Sequence, residues 1–231
     1  MNVAIIPARG GSKRIPKKNI VTIGGKPMIY WPIKAALDSK LFDHIIVSTD
    51  DDEISQAALN CGAEVPFTRP KELSDDFTGI KEVTKHALNW LDDKGIKVNY
   101  CCCILATAVF TIKEDLIFSL EQLKDHNKDI AFSVTEHLSP LQRSFKINKE
   151  GVIELFWPEA IKERSQDLEK TFHDAGQFYW GTREAFTISD AEIISEHSLP
   201  IIIPNYRVQD IDTDDDLMLA KSKFNLLNRS Q

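Results

Sequence analysis

Residues 3–19 read VAIIPARGGSKRIPKKN, a short apolar run that passes directly into a glycine-rich, basic loop. The run at residues 3–6 has the length and composition of a buried strand, and the proline and glycines that follow end it. In an open α/β sheet, the loop after the first strand faces the ligand crevice. This stretch therefore predicts an α/β fold with a binding site at the carboxyl end of its first strand.

Strand-like and helix-like apolar patterns alternate along the next hundred residues. Strands are predicted at residues 44–48, 100–105 and 130–134, and helices at residues 28–39, 51–60, 80–91 and 114–124. Such alternation predicts a mostly parallel sheet with helices on both faces. We expect a single domain over residues 1–231, because this length suffices for one substantial core.

The alternation breaks after Thr135. Short runs at residues 145–157 surround a turn at residues 148–151, which predicts a hairpin inside an antiparallel insertion at residues 136–172. Further strands are expected at residues 177–180 and 199–203, with a closing helix at residues 213–227.

Charge is distributed unevenly along the chain. The 35 acidic and 28 basic residues give a net charge of −7, which disfavours nucleic acid or an anionic membrane as a partner. Seven basic residues and no acidic ones precede Asp38, so the remaining chain carries −14. A cationic segment on an acidic body suits a small polyanion such as a nucleotide phosphate.

The remaining composition predicts a cytoplasmic protein. The longest nearly apolar run, residues 100–112, is shorter than the roughly 20 residues of a transmembrane helix, and no secretion signal precedes residue 3. Cys101, Cys102 and Cys103 are consecutive, and Cys61 stands alone. This spacing predicts buried thiols rather than a zinc site or disulfides.

The basic loop is the strongest candidate for a phosphate site. Glycine permits positive φ and close backbone approach, so the amides of residues 10–13 are expected to point at phosphate oxygens. Arg9, Lys13 and Lys18 would neutralise the charge. The spacing matches neither GxGxxG nor GxxxxGK[ST], and the alternative is a solvated basic turn.

An acidic segment, residues 209–216 with sequence QDIDTDDD, is the second candidate site. If residues 206–211 are extended, Asp210 and Asp212 share one face and can hold Mg²⁺ together with phosphate oxygens. Alternatively, Asp212 or Thr213 caps the last helix, and the following aspartates complement its dipole. Both interpretations can hold.

Other residues have plainer interpretations. Asp50 is predicted to cap the helix that follows it, and Arg69 to lie in a turn before Pro70. His173 is the histidine placed nearest a site. Arg143 and Arg164, inside the insertion, are candidate carboxylate ligands, with surface charge as the alternative.

Residues 5–19, together with VSTD at 47–50 and DIDT at 210–213, resemble the cytidylyltransferases that activate sialic-acid-like sugars. The stretches CCILATA (102–108), RSQDL (164–168) and HDAGQFYWG (173–181) are similar to the pseudaminic acid branch. The resemblance implies a Rossmann-like nucleotidyltransferase sheet of glycosyltransferase-A-like type. It also implies attack of a nine-carbon 2-keto sugar acid's anomeric hydroxyl on the α-phosphate of CTP, with release of pyrophosphate.

The resemblance also implies roles for individual residues. The implied catalytic residues are Arg9, Lys13, Asp210 and Asp212, and the two aspartates are the implied magnesium ligands. The implied substrate contacts are Ala8, Gly10, Ser12, Lys18, Asn19 (to the ribose), Arg69, Thr78, Thr107, Arg143, Arg164, Gln177 and Phe178. Relatives are homodimers through the insertion, where Arg164 would reach the neighbouring subunit's sugar site. No residue is assigned as general base.

The identity of the sugar stays open at this point. Sialic acid enzymes read QPTSPLR where this chain has residues 105–111, and pseudaminic relatives have tyrosine at Leu105 and proline at Val109. Legionaminic, sialic and eight-carbon ulosonic acids are alternatives. Guanylyl and uridylyl transferases lack the pattern at residues 174–181. A non-catalytic nucleotide-sugar-binding regulator has little need of Asp210 and Asp212.

Overall fold

The computed structural model describes residues 1–188 and 192–228. Its strands are β1 (Asn2–Pro7), β2 (Thr22–Ile23), β3 (Lys26–Pro27), β4 (His44–Ser48), β5 (Tyr100–Ile104), β6 (Ile130–Glu136), β7 (Phe145–Ile147), β8 (Ile153–Leu155), β9 (Phe172–Thr182) and β10 (Ser198–Ile202). Its helices are α1 (Tyr30–Ser39), α2 (Asp52–Asn60), α3 (Ile80–Asp93), α4 (Lys113–Asp125), α5 (Arg183–Thr187) and α6 (Asp214–Asn228).

Six strands form the central sheet in the order β10-β6-β9-β5-β1-β4. Strand β9 runs antiparallel to both of its neighbours, and the other three pairs are parallel. The prediction of a mostly parallel sheet is confirmed. The break in the alternating pattern after Thr135 arises because the chain leaves the sheet, forms the insertion and returns through β9 in the opposite direction.

Helices cover both faces of the sheet. Helices α1, α2 and α4 supply Ile33, Ala58 and Leu120 to one apolar cluster, and α3 and α5 supply Leu88 and Phe186 to the other. This arrangement confirms the two covered faces that the sequence predicts. The sheet is consequently buried on both sides, as parallel sheets generally are.

The consecutive cysteines of β5 point alternately to the two faces. Cys102 lies in one cluster, whereas Cys101 and Cys103 lie in the other, and all three are 0% exposed. Desolvation by burial raises the pKa of each thiol, to about 12 for Cys103. The prediction that these thiols act as small apolar residues is confirmed.

Helix α6 packs over the loops at the carboxyl ends of the strands. Phe224 contacts the ring of Trp31 at 4.5 Å between centroids and shares a buried cluster with Ile15 and Ile211. Gly24 has φ +58°, and a Cβ there would lie 2.2 Å from the Phe224 ring, so glycine is required. This cluster joins the basic loop to the acidic segment.

The predicted hairpin of the insertion forms from β7 and β8. Phe145 pairs with Leu155 and Ile147 with Ile153. In the ranges 1–188 and 192–228, no helix is long and apolar enough to cross a membrane.

Candidate functional site

A cleft of about 520 Å³ opens beyond the carboxyl ends of β1 and β5, where the sequence places the binding site. Nine of the predicted site residues line it: Arg9, Ser12, Lys13, Lys18, Asn19, Arg69, Thr78, Thr107 and Asp212. The structure therefore brings the basic loop and the acidic segment together, although almost 200 residues separate them.

The backbone of the basic loop differs from the prediction that the amides of residues 10–13 point at phosphate oxygens. The Gly10 amide donates to Asp50 Oδ1 at 2.9 Å, and the Ser12 amide donates to the Gly10 carbonyl at 2.9 Å. Neither Gly10 nor Gly11 has a positive φ. Glycine is needed at position 10 for another reason, since a Cβ would lie 2.8 Å from the Asp51 side chain. The loop therefore presents side chains more than amides.

The prediction that Asp50 caps the following helix is wrong. Asp51 is the cap of α2, and its Oδ1 accepts from the Ile54 amide at 2.9 Å. The Asp50 carboxylate instead holds the start of the basic loop through the Gly10 amide. Two adjacent aspartates offer the same short side chain, and only the backbone direction at the end of β4 decides which one caps.

An acidic residue that the sequence reasoning missed joins two of the predicted phosphate ligands. Asp76 Oδ1 accepts from Arg9 Nη1 at 2.7 Å, and Asp76 Oδ2 accepts from Lys13 Nζ at 2.6 Å. The bond from Lys13, followed by that from Arg9, lowers the pKa of Asp76. Arg9 also donates to the Asp75 carbonyl at 2.5 Å. The cations converge on one carboxylate, so their spacing suits a multidentate anion.

Asn19 is buried at the base of the cleft. Its Nδ2 donates to the Arg9 carbonyl at 2.9 Å, which fixes the backbone that carries the Arg9 guanidinium. Lys17, two positions earlier, has φ 53°, a left-handed conformation that turns the chain back toward the cleft.

Arg69 is not the ordinary turn residue that the Arg-Pro pair suggests. It is 4% exposed, and its Nη2 donates to the Ser48 carbonyl at 2.7 Å while its Nε has no partner among the described residues. Desolvation lowers the pKa of Arg69 to about 10, with Asp50 opposing and Arg9 adding to the shift. Arg69 also lines the cleft, and a guanidinium in such partly desolvated surroundings is suited to bind an anion.

The acidic segment has the predicted arrangement with one change. Asn205–Arg207 form a 3₁₀ turn where an extended chain is expected, but Ile211 is fully buried, whereas Asp210 and Asp212 are accessible. The predicted cap of the last helix is confirmed, since the Asp216 amide donates to Thr213 Oγ1 at 3.3 Å and the Thr213 amide donates back to Asp216 Oδ2 at 2.9 Å.

The two aspartates have opposite electrostatic surroundings. Asp210 is surface-accessible, yet desolvation of its carboxylate and then the charge of Asp212 raise its pKa. Desolvation also acts to raise the pKa of Asp212, but Lys18 and Arg14 outweigh it and the pKa is lowered. Asp212 accepts from Arg14 Nη2 at 2.8 Å and from Lys18 Nζ at 3.1 Å. Arg14 is a second neighbour that the sequence reasoning did not place here.

The donor set of this segment fits magnesium. Among the described residues, no side-chain cation lies within 4.0 Å of the Asp210 carboxylate, and the neighbouring Asp212 raises the cost of its charge. Mg²⁺ commonly takes one or two carboxylates and completes its shell with phosphate oxygens and water. Asp210 and Asp212 would hold it, with Asp212 sharing its oxygens with Arg14 and Lys18.

Three predicted substrate contacts lie in the interior. The Ala8 and Phe178 side chains are 0% exposed in the core. Gln177 is 3% exposed, accepts from Thr111 Oγ1 at 3.0 Å and donates to the Arg207 carbonyl at 2.6 Å. Their side chains do not line the cleft, and their contacts with substrate stay predictions. Gln177 and Phe178 belong to the stretch at residues 173–181, and their side chains point into the protein.

Other residues of the same motif face a second cavity. A register shift in β9, with Gly176 at φ +60°, brings Asp174 Oδ2 to 2.7 Å from Tyr179 Oη, although the two residues are five positions apart. They line a cavity of about 440 Å³ that shares Gly79 and Ile80 with the cleft. The alternation of side chains along the sequence does not predict this bulge, so Asp174 and Tyr179 are not among the predicted site residues.

Three further candidates lie away from the cleft. Arg143 donates to the Glu163 carbonyl, Arg164 pairs with Asp167 at 2.9 Å, and both stay within the insertion. The His173 ring lies 4.7 Å from that of His137, outside the cleft lining. Within one chain, none of the three reaches the basic loop.

The chain is similar in sequence to known cytidylyltransferases. A family model described as cytidylyltransferase matches residues 3–200. The pseudaminic acid cytidylyltransferase of Campylobacter jejuni subsp. jejuni serotype O:2 is 41% identical over 229 residues, covering 99% of this chain and 98% of that protein. The CMP-N,N'-diacetyllegionaminic acid synthase of Legionella pneumophila subsp. pneumophila is 29% identical, covering 97% of this chain and 96% of that protein.

A solved structure gives the same fold. CMP:2-keto-3-deoxy-manno-octonic acid synthetase complexed with CTP matches with a TM-score of 0.70 and 17% identity, over 100% of this chain and 99% of that one. The basic loop and most of the cleft fall inside the family match, whereas Asp210 and Asp212 lie beyond residue 200.

Proposed function

Because the chain belongs to the cytidylyltransferase family, we propose that it transfers CMP from CTP to the anomeric hydroxyl of a nine-carbon 2-keto sugar acid, pseudaminic acid, and releases pyrophosphate. The observation that carries the proposal is the convergence of Arg9, Lys13, Lys18 and Arg69 on one cleft that Asp212 also lines. Asp210 lies two residues before Asp212 and is not part of the cleft lining. The relative at 41% identity, matched along its whole length, supports pseudaminic acid as the acceptor.

The basic side chains suit the demands of the reaction. Phosphoryl-type transfer requires alignment of the attacking oxygen with the leaving group and neutralisation of the charge that develops. Arg9, Lys13 and Arg69 all line the cleft; the Arg9 and Lys13 side chains are 34% and 80% exposed, whereas Arg69 is buried. A triphosphate bound in the cleft would replace Asp76 as the partner of Arg9 and Lys13.

We include magnesium at Asp210 and Asp212 in the proposal. When bound, the ion would supply positive charge to the phosphate oxygens and lower the repulsion between the two carboxylates. Lys18 and Arg14, which bond to Oδ1 and Oδ2 of Asp212, would orient this carboxylate.

The second cavity is the proposed place for the sugar acid. It adjoins the cleft through Gly79 and Ile80, so an acceptor there would lie next to the nucleotide phosphates. The Asp174 carboxylate and the Tyr179 hydroxyl offer hydrogen-bonding groups to a polyhydroxylated acceptor, and Lys81 brings a positive charge to the same wall.

We also propose a homodimer formed through the insertion, acting in the cytoplasm. One face of the hairpin carries Phe145, Ile147, Ile153 and Leu155, and the first three are 51%, 68% and 56% exposed. The other face carries the Lys146–Glu154 ion pair at 2.8 Å. An apolar strand face of this kind is typical of a surface that a second copy covers. The buried free thiols of β5 are consistent with a reducing compartment.

The test is pyrophosphate release from CTP with pseudaminic, legionaminic and sialic acids offered separately, each with and without Mg²⁺. We expect magnesium-dependent release with pseudaminic acid. Release only with another acid would retain the chemistry and overturn the acceptor. CTP binding without turnover on any acid would overturn the enzymatic proposal.

A further inference from the structure

The segment between β10 and α6 carries Asp210 and Asp212 and has no strand partner. The basic loop holds its carboxyl-terminal end through Lys18. Ahead of the two aspartates, side chains from α4, β9 and α6 contact two consecutive residues, Arg207 and Val208.

The first tether is an ion pair between Arg207 and Asp115 in the first turn of α4. Nη1 lies 2.5 Å from Oδ2 and Nη2 lies 2.9 Å from Oδ1, so the pair is bidentate. The two side chains are 16% and 11% exposed. Bidentate geometry fixes orientation as well as distance.

The second and third tethers hold the backbone. Gln177 of β9 donates from Nε2 to the Arg207 carbonyl at 2.6 Å, and its Oε1 is fixed by the Thr111 hydroxyl at 3.0 Å. Lys223 of α6 donates from Nζ to the Val208 carbonyl at 2.6 Å. Lys223 is half-buried, and the desolvation lowers its pKa, yet it lies on no ligand cavity described above.

We propose that Gln177, Lys223 and the Arg207–Asp115 pair are positioning residues that set the separation of the Asp210 and Asp212 carboxylates for a divalent cation. The inference rests on the proposed magnesium site. Groups that orient metal ligands without touching the metal typically change its affinity by about tenfold or more when removed.

Lys223→Met is the decisive variant, because methionine keeps most of the apolar length of the half-buried side chain and removes only its charge and its bond to Val208. Loss of a positive charge near two aspartates would by itself strengthen cation binding. Loss of the tether would weaken it. An effect of charge and an effect of positioning therefore change the cation affinity in opposite directions. Lys221→Met, an exposed lysine on the same helix, is the matched control for charge.

The measurement is Mn²⁺ binding by electron paramagnetic resonance in the presence of CTP, together with the thermal midpoint of each variant. We expect Lys223→Met and Gln177→Leu to weaken Mn²⁺ binding by about tenfold, with Lys221→Met and wild type alike and with metal-free CTP affinity unchanged. Unchanged or tighter Mn²⁺ binding in Lys223→Met overturns the positioning role. Absence of Mn²⁺ binding in wild type overturns the magnesium site itself, and this inference with it.

Discussion

Lys18 Nζ lies 3.1 Å from Asp212 Oδ1, and this ion pair joins residues that are 194 positions apart. Lys18 also donates to the Ile211 carbonyl at 2.8 Å, so it holds both the backbone and the carboxylate of the acidic segment. The basic loop and the acidic segment are thus one electrostatic unit. A ligand that binds to the basic loop is therefore expected to change the electrostatic surroundings of the acidic segment, and a ligand of the acidic segment those of the loop.

The two aspartates should respond oppositely to neutralisation. Asp210→Asn removes a carboxylate whose pKa is raised in the folded protein, so it removes a charge that opposes folding above that pKa. Asp212→Asn removes a carboxylate whose pKa is lowered by Lys18 and Arg14, so it removes a stabilising charge. At pH 7 we expect Asp210→Asn to unfold at a higher denaturant concentration than wild type, and Asp212→Asn at a lower one.

The pH dependence checks the sign of both effects. The stabilisation by Asp210→Asn should disappear as pH falls through the raised pKa toward the ordinary value of about 4, because wild-type Asp210 is then protonated. The destabilisation by Asp212→Asn should be lost only as pH falls below that ordinary value. Shifts of the same sign in the two variants at pH 7 would contradict this assignment.

Both substitutions should reduce turnover, whatever they do to stability. We expect pyrophosphate release to fall by about a hundredfold or more, the usual scale for losing a group that stabilises transition-state charge. Asp215→Asn, an exposed aspartate in the first turn of α6, is the control and should retain activity. Near-normal turnover in Asp212→Asn would remove it from the proposed metal site.

Lys13→Ala should lower kcat/KM for CTP by about tenfold to a hundredfold, as expected for loss of a charge-assisted bond to phosphate. The Lys13 side chain is 80% exposed, so the thermal midpoint should hardly change. Lys17→Ala is the matched control, since Lys17 pairs with Glu53 and does not line the cleft. Equal losses in both variants would indicate a general charge effect.

Asp76→Asn should bind CTP more tightly, by about twofold to fivefold. The Asp76 carboxylate competes with a phosphate for Arg9 and Lys13, and exposed ion pairs of this kind contribute up to about 1 kcal/mol. Isothermal titration calorimetry with CTP measures the change. Weaker binding would mean that Asp76 contributes a favourable contact in the complex.

Ile147→Lys should convert the protein to a monomer at micromolar concentration. The side chain is 68% exposed on the apolar face of the hairpin, and a lysine there would place a charge in the proposed interface. Light scattering coupled to gel filtration measures the mass. Lys149→Glu, in the turn of the same hairpin, should leave the mass unchanged, and a wild-type monomer would contradict the proposed dimer.

Much of the fold could be predicted from the sequence because local patterns determine it. Period-two alternation and continuous apolar runs identify β1, β4 and β5, and the glycine-rich loop marks their common end. The prediction of the cation cluster depended on residue type and on position after a strand. Both are visible without coordinates.

The errors have a common origin in contacts between distant segments. Asp76 meets Arg9 across 67 positions, and Gln177 meets Arg207 across 30, and no periodicity reports either pairing. The bulge in β9 depends on a left-handed residue and on Ser133, whose hydroxyl accepts from the Gln177 and Phe178 amides. Matching a motif placed the whole segment in the site but could not say which side chains face it.

Strand β9 has a further consequence for how the two subunits would work together. It is 11 residues long, its amino-terminal end pairs with the edge of the insertion at Glu136, and its central part carries Asp174 and Tyr179 at the second cavity. This strand therefore connects the base of the insertion with the proposed acceptor cavity. Dilution that separates subunits would then be felt as loss of acceptor affinity, and specific activity would depend on enzyme concentration.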